Sequence, residues 1–220
     1  MTLDVQKVLD RYVALLAFGG LAVLLGALSI DLQWLEHPVA AMLLLGAVIG
    51  LRAGQIALSK YSYLSQIGLP ALVGAVTVGP SPVVFALGLG VFVTDAFWLR
   101  KPLFASWINA GREVLAFVTA FGAYAAVLHL SGPPGLTLEF LPAAVALGGI
   151  YFFAARSLFY FTLLVRGKLE HDERLMLLRY EILAYILTVS GATICAGAIN
   201  TLPPEGWLAV LAVLGVLGLL

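Results

Sequence analysis

The feature that most constrains this chain is its punctuation: runs of about twenty mostly apolar residues recur along it, separated by short groups of Pro, Gly and charged side chains. At 1.5 Å of rise per helical residue, a run of that length matches the roughly 30 Å of hydrocarbon in a bilayer. Cutting at the punctuation predicts spans from Tyr12 to Ile30, Pro38 to Leu58, Tyr63 to Gly79, and a fourth beginning after the turn Gly79-Pro80-Ser81-Pro82 and ending at Leu99. Further spans follow from Ala105 to Leu130, Leu141 to Val165 and Tyr180 to Asn200, with another starting near Pro204. The expected fold is all-α: a polytopic transmembrane bundle of about eight helices, forming one domain over residues 1–220.

Composition excludes the main alternatives. Hydrophobic residues make up 62% of the chain and charged residues 11%, against about 25% charged in soluble domains. The twelve basic and twelve acidic side chains balance, so there is no basic footprint for a nucleic acid. The segment MTLDVQKVLDRY leads into the first apolar run without a small-residue cleavage pattern, which marks a retained helix and not a signal peptide. Cys195 has no second cysteine with which to pair and lies in an apolar stretch, where a buried inert thiol is expected.

Positive charge sets the expected orientation, because Lys and Arg are retained on the cytoplasmic side during insertion. Lys7 and Arg11 precede the first span, Lys60 ends the second, Arg100 and Lys101 follow the fourth, and Arg166, Lys168, Arg174 and Arg179 follow the sixth. The opposite loops, DLQWLEH, GPSP, SGPPGLTLEF and NTLPPEG, carry neither Lys nor Arg. Both termini are therefore expected inside. The stretch from Trp207 to Leu220 is short for a crossing and lacks a charged anchor, so the natural chain is expected to continue into the cytoplasm. The connection RGKLEHDERLMLLRYE reads as a cytoplasmic helical elbow, with Leu169, Leu175 and Leu178 offering an apolar stripe on which an output domain could dock.

Ionisable groups inside a bilayer are costly and need partners, so each is a candidate for function. Arg52 lies about two turns from Lys60 and Asp95 about one turn from Arg100. Asn109, Arg112 and Glu113 lie near the start of the fifth span, Arg156 well inside the sixth, and Glu181 at the start of the seventh. All fall in the cytoplasmic half, where they would form a polar belt whose charges roughly cancel. Two readings stay open. In one the belt is structural, with charges snorkelling and Asp95 or Glu113 neutralising Arg112 or Arg156. In the other it is an anion-binding or signal-coupling site, in which Arg112 and Arg156 meet a carboxylate, a phosphate or a lipid headgroup. Arg156 is the strongest candidate, being the most deeply placed charge, with Tyr151, Phe152, Phe153, Phe159, Tyr160 and Phe161 around it in sequence.

Gly46, Gly50 and Gly54 repeat every four residues and predict close helix packing along that face. Pro70, Gly74 and Gly79, after the polar stretch SKYSYLSQ, are compatible with a broken or re-entrant helix lining a cavity. No catalytic residues, metal ligands or cofactors are expected: His37, His129 and His171 lack metal-ligand spacing, and there is no HExxH, Walker loop or GxSxG.

Between Ile67 and Tyr124 the chain carries an apolar helix, Gly79-Pro80, a Gly-rich helix ending in Asp95 and a basic turn, and then Asn109-Ala110-Gly111-Arg112. In this quarter of its length it resembles the multi-pass membrane modules at the amino end of bacterial HD-type (HD-GYP) phosphohydrolases and GGDEF-type diguanylate cyclases. The resemblance implies a sensory or regulatory input module in the bacterial cytoplasmic membrane, leading into a cytoplasmic enzyme of cyclic dinucleotide metabolism. No HD or GGDEF motif lies within these residues. The partners so implied are membrane lipids, a small anionic or lipid ligand, an output domain in cis and a second copy of the chain as a homodimer. Two other classes compete with this one. A small Gly-rich bundle also resembles the substrate-binding subunit of an energy-coupling-factor vitamin importer, although those have about six helices. The third class is an accessory subunit of a larger membrane complex.

Overall fold

A computed structural model describes residues 3–57, 63–131, 141–166 and 171–201. Helix α1 (Leu3–Ala14) continues through a π-helical turn (Leu15–Gly19) into α2 (Gly20–Ile30). A short α3 (Gln33–Glu36) leads to α4 (Pro38–Ala53), and two-residue strands β1 (Ile56–Ala57) and β2 (Tyr63–Leu64) then pair antiparallel. Helix α5 (Gly68–Thr77) precedes α6 (Pro80–Val93), which ends in a second π turn (Thr94–Trp98). Three long helices complete the described chain: α7 (Leu103–Ser131), α8 (Leu141–Val165) and α9 (His171–Thr201). The protein is an all-α helical bundle, and among the described residues five helical stretches are long and apolar enough to cross a membrane: Val5–Ile30, Pro80–Trp98, Leu103–Leu130, Pro142–Val165 and Leu175–Ile199.

Local chemistry explains where the helices begin. Pro38 and Pro80 occupy the first turns of α4 and α6, where a missing N–H costs nothing. Gly79 ahead of α6 has φ +98°, a conformation open to glycine, and the Gln33 side chain lies where its Cβ would be. At this end of α6 the Asp31 carboxylate accepts from the backbone N–H of Gln33 (3.0 Å) and of Ser81 (3.3 Å), while the Ser81 hydroxyl accepts from Trp34 N–H at 3.2 Å. The loop DLQWLEH is thereby fastened over the start of α6.

The core runs through α4, α5, α6, α7 and α8, with Leu44, Val48, Leu72, Val84, Leu87, Phe117 and Leu147 among its buried side chains. Outside it, Phe18, Leu25, Val39, Ile186, Leu187 and Ile194 are all more than half exposed. In water so many bared apolar groups would drive association, whereas lipid chains solvate them. Helix α1 packs back on the bundle: Leu9 is buried, and the Tyr12 hydroxyl donates to Leu158 O at 2.6 Å beside the Phe161 ring.

The structure alters several expectations. Helix α4 stops at Ala53, short of Leu58, and α5 has ten residues, about 15 Å of the roughly 30 Å a crossing needs. Of the polar stretch before α5, the described residues 63–66 are strand and irregular backbone, not helix. The face bearing Gly46, Gly50 and Gly54 points away from the bundle, and nothing lies within 4 Å of a Cβ built on Gly46 or Gly50. The close glycine crossing falls elsewhere, between Gly20 and Gly111, where a Cβ on Gly20 would meet the Gly111 backbone and one on Gly111 the Leu16 carbonyl. The expected elbow is largely the first turns of α9, which begins nine residues ahead of Tyr180. There Leu177 faces the core, while Leu175 and Leu178 are exposed. The expected helix near Pro204, together with Lys60, Lys168 and Leu169, lies outside the described residues.

Candidate functional site

The π turn after α6 widens the helix by one residue and carries Asp95 into the bundle, where it is 0% exposed. π turns of this kind recur at functional positions. Arg52 at the end of α4 meets Asp95 as a two-pronged fork, donating from Nε to Oδ1 (2.9 Å) and from Nη2 to Oδ2 (3.0 Å). Asn109 Nδ2 donates to the same Oδ2 at 2.6 Å, and Lys101 Nζ lies 3.1 Å from it. Lys101 is aimed there by Arg100, whose φ of +52° reverses the chain, and by its own N–H bonding Asp95 O at 2.8 Å. Burial and the neighbouring Arg52 guanidinium pull the Lys101 ammonium below the ordinary lysine value, with Asp95 opposing them.

One turn into the core, Arg112 donates from Nη2 and Nε to Oε1 of its neighbour Glu113 at 2.8 and 3.3 Å, and its guanidinium lies 4.9 Å from the Phe159 ring. The other Glu113 oxygen accepts from the Tyr151 hydroxyl at 3.1 Å. Arg156 of α8 sits 3.4 Å from Glu181 of α9 and 5.8 Å from the Phe152 ring. Glu181 is 1% exposed and is held by the Tyr160 hydroxyl at 2.6 Å, whereas the Arg156 side chain is 25% exposed.

These groups surround a cavity of about 200 Å³, several times the roughly 30 Å³ that a water fills. Arg52, Lys101, Arg112 and Arg156 line it together with Leu72, Phe152, Ala155 and Tyr185. Gln55 and the non-helical residues Tyr63–Ile67 also line it, and Gln66 is tied to α9 by accepting from the Thr188 hydroxyl at 2.5 Å. Irregular backbone at this depth is tolerated where it lines a cavity.

All six sequence candidates, Arg52, Asp95, Asn109, Arg112, Glu113 and Arg156, gather at this one place. Their pairing differs from the simplest expectation: Glu113 does neutralise Arg112, but Asp95 takes Arg52 and Lys101, and Arg156 goes to Glu181. The charges do not cancel either. Among the described residues four cations meet three carboxylates, Asp95, Glu113 and Glu181. Lys101, Gln66 and Thr188 carried no signal as site residues in the sequence. Cys195 is buried on α9, away from the residues that line the cavity. Comparison of the chain with family models, with curated proteins and with solved structures finds no match.

Proposed function

We propose that the chain is a membrane-embedded sensory or regulatory module that binds a small anion in the charged cavity and passes its occupancy to a cytoplasmic signalling partner through α9. The observation that carries this reading is the uneven charge around the cavity: four cations to three carboxylates, with Arg156 held only at 3.4 Å. Excess positive charge in a low-dielectric setting is costly, and an anion relieves the cost. Helix α9 supplies Glu181, Ala184, Tyr185 and Thr188 to the cavity, so filling it bears directly on how that helix sits.

In this reading the bundle lies in a bacterial cytoplasmic membrane with about eight crossings and both ends inside, as the one-sided Lys and Arg distribution predicts. An enzyme of the HD or GGDEF type in cis is the proposed output. Two experiments test these parts. Adding an anion, with phosphate and benzoate as probes, to the chain purified in a neutral detergent raises its Tm, and the rise depends on Arg156; a flat response to both probes removes the reading. An open reading frame encoding an HD or GGDEF segment beyond codon 220 supports the output in cis, and a stop codon directly after Leu220 removes it.

The non-helical residues 63–67 that line the cavity ahead of α5 favour a second reading, small-molecule transport, because substrate sites in transporters are lined by interrupted helices. Flux of labelled benzoate into vesicles carrying the chain separates the two.

A further inference from the structure

The site's own chemistry narrows what it takes. We propose that the occupant is a small monocarboxylate with a compact apolar or aromatic body, and that Arg156 exchanges Glu181 for the carboxylate of this ligand. The proposal rests on the anion-binding reading above and sharpens it. Three observations carry it.

The first is charge. Among the described residues, four cations and three carboxylates leave a surplus of one. A single negative charge completes the balance, whereas a dianion would bring an uncompensated charge into the bundle, at large cost.

The second is the mixed lining. Beside the cations, Leu72, Phe152, Ala155 and Tyr185 offer apolar and aromatic surface to the same cavity, with the Phe152 ring 5.8 Å from the Arg156 guanidinium. A bare inorganic anion would leave that surface unused, and an acid with a short hydrocarbon or aryl body covers it. The cavity of about 200 Å³ admits only a small body.

The third is the state of Arg156. Arg52 and Arg112 each give two nitrogens to a carboxylate within 3.3 Å. Arg156 approaches Glu181 only at 3.4 Å, without hydrogen-bond geometry among the described residues, and is the most exposed of the three arginines. Glu181 keeps its Tyr160 bond at 2.6 Å whether or not Arg156 stays. Arg156 therefore has donors available for a bidentate grip on a ligand carboxylate, and its present partner retains a hydrogen bond when it leaves.

The test is a ligand series on the purified chain, read as Tm and as affinity by calorimetry. Benzoate and butyrate should raise Tm saturably, whereas benzamide, which matches benzoate in shape without its charge, should not. Succinate and phosphate should bind at least about tenfold more weakly than benzoate. Arg156→Gln should weaken benzoate at least about tenfold, with Arg156→Lys in between because the fork is lost. If Arg156→Gln does not fold, Ala155→Leu, which fills the cavity and removes no charge, should abolish benzoate binding. Phosphate or succinate binding as tightly as benzoate overturns the monocarboxylate and leaves the anion reading standing. Equal effects of benzamide and benzoate, or no response to any anion, overturn both. Oleate supplied in lipid nanodiscs distinguishes a bilayer acid from a soluble one: oleate displacing benzoate would overturn the small body and keep the carboxylate.

Discussion

Gly20 of α2 and Gly111 of α7 touch backbone to backbone, with no room for a Cβ on either. The π turn at Leu15–Gly19 brings the Leu16 carbonyl against Gly111 at the same crossing. Gly20→Ala or Gly111→Ala must push two helices apart, so each should destabilise by about 1–3 kcal/mol or more. Gly46→Ala, Gly50→Ala and Gly122→Ala meet nothing within 4 Å and should be neutral or gain up to about 1 kcal/mol from better helix propensity. Thermal unfolding in one detergent ranks the five variants.

Asp95 and Arg52 form a buried pair, and removing one partner strands the other. Asp95→Ala or Arg52→Met should each cost about 3–5 kcal/mol. The double variant Arg52→Met with Asp95→Leu should recover most of that loss, since apolar replacement of a whole buried pair is often neutral. A double-mutant cycle on Tm measures the coupling, and additive losses would show that the two side chains act separately.

Arg100 holds a left-handed backbone conformation with an exposed side chain. Arg100→Gly relieves that conformation and should stay within about 1 kcal/mol of the parent. A β-branched residue fits it poorly, so Arg100→Val should lose stability by about 1–3 kcal/mol. Both variants remove the same charge, and a difference between them in thermal unfolding therefore reports the backbone alone.

Tyr151→Phe deletes only the hydroxyl that donates to Glu113. A buried carboxylate oxygen is left without that bond, at a cost of about 1–3 kcal/mol. Chemical denaturation in mixed micelles checks the value, and no change would mean that water replaces the hydroxyl.

The long helices were legible because apolar length is a strong signal: Leu141–Val165 falls where the sequence places it, and Leu103–Ser131 differs by two residues at its start. The belt of Arg52, Asp95, Asn109, Arg112, Glu113 and Arg156 was legible for a related reason, since charges in apolar runs stand out and must find one another. Their pairing was not, because it depends on helix rotation, and two π turns shift that rotation beyond what a 3.6-residue period foresees. The glycine crossing was misplaced for the same reason. Spacing marks a small face on α4, but packing is decided by which face turns inward, and the buried side of α4 is that of Leu44, Leu45, Val48 and Leu51.

The shortness of α5 reaches back to biosynthesis. Ten residues offer a translocon too little apolar length to release as an independent span, so α5 is expected to enter lipid together with α6, as a hairpin hinged at Gly79-Pro80. Residues 63–67 ahead of α5 then take their final place once α9 is present, since Gln66 accepts from the Thr188 hydroxyl of that helix. Docking of α9 is therefore the step expected to complete the cavity wall.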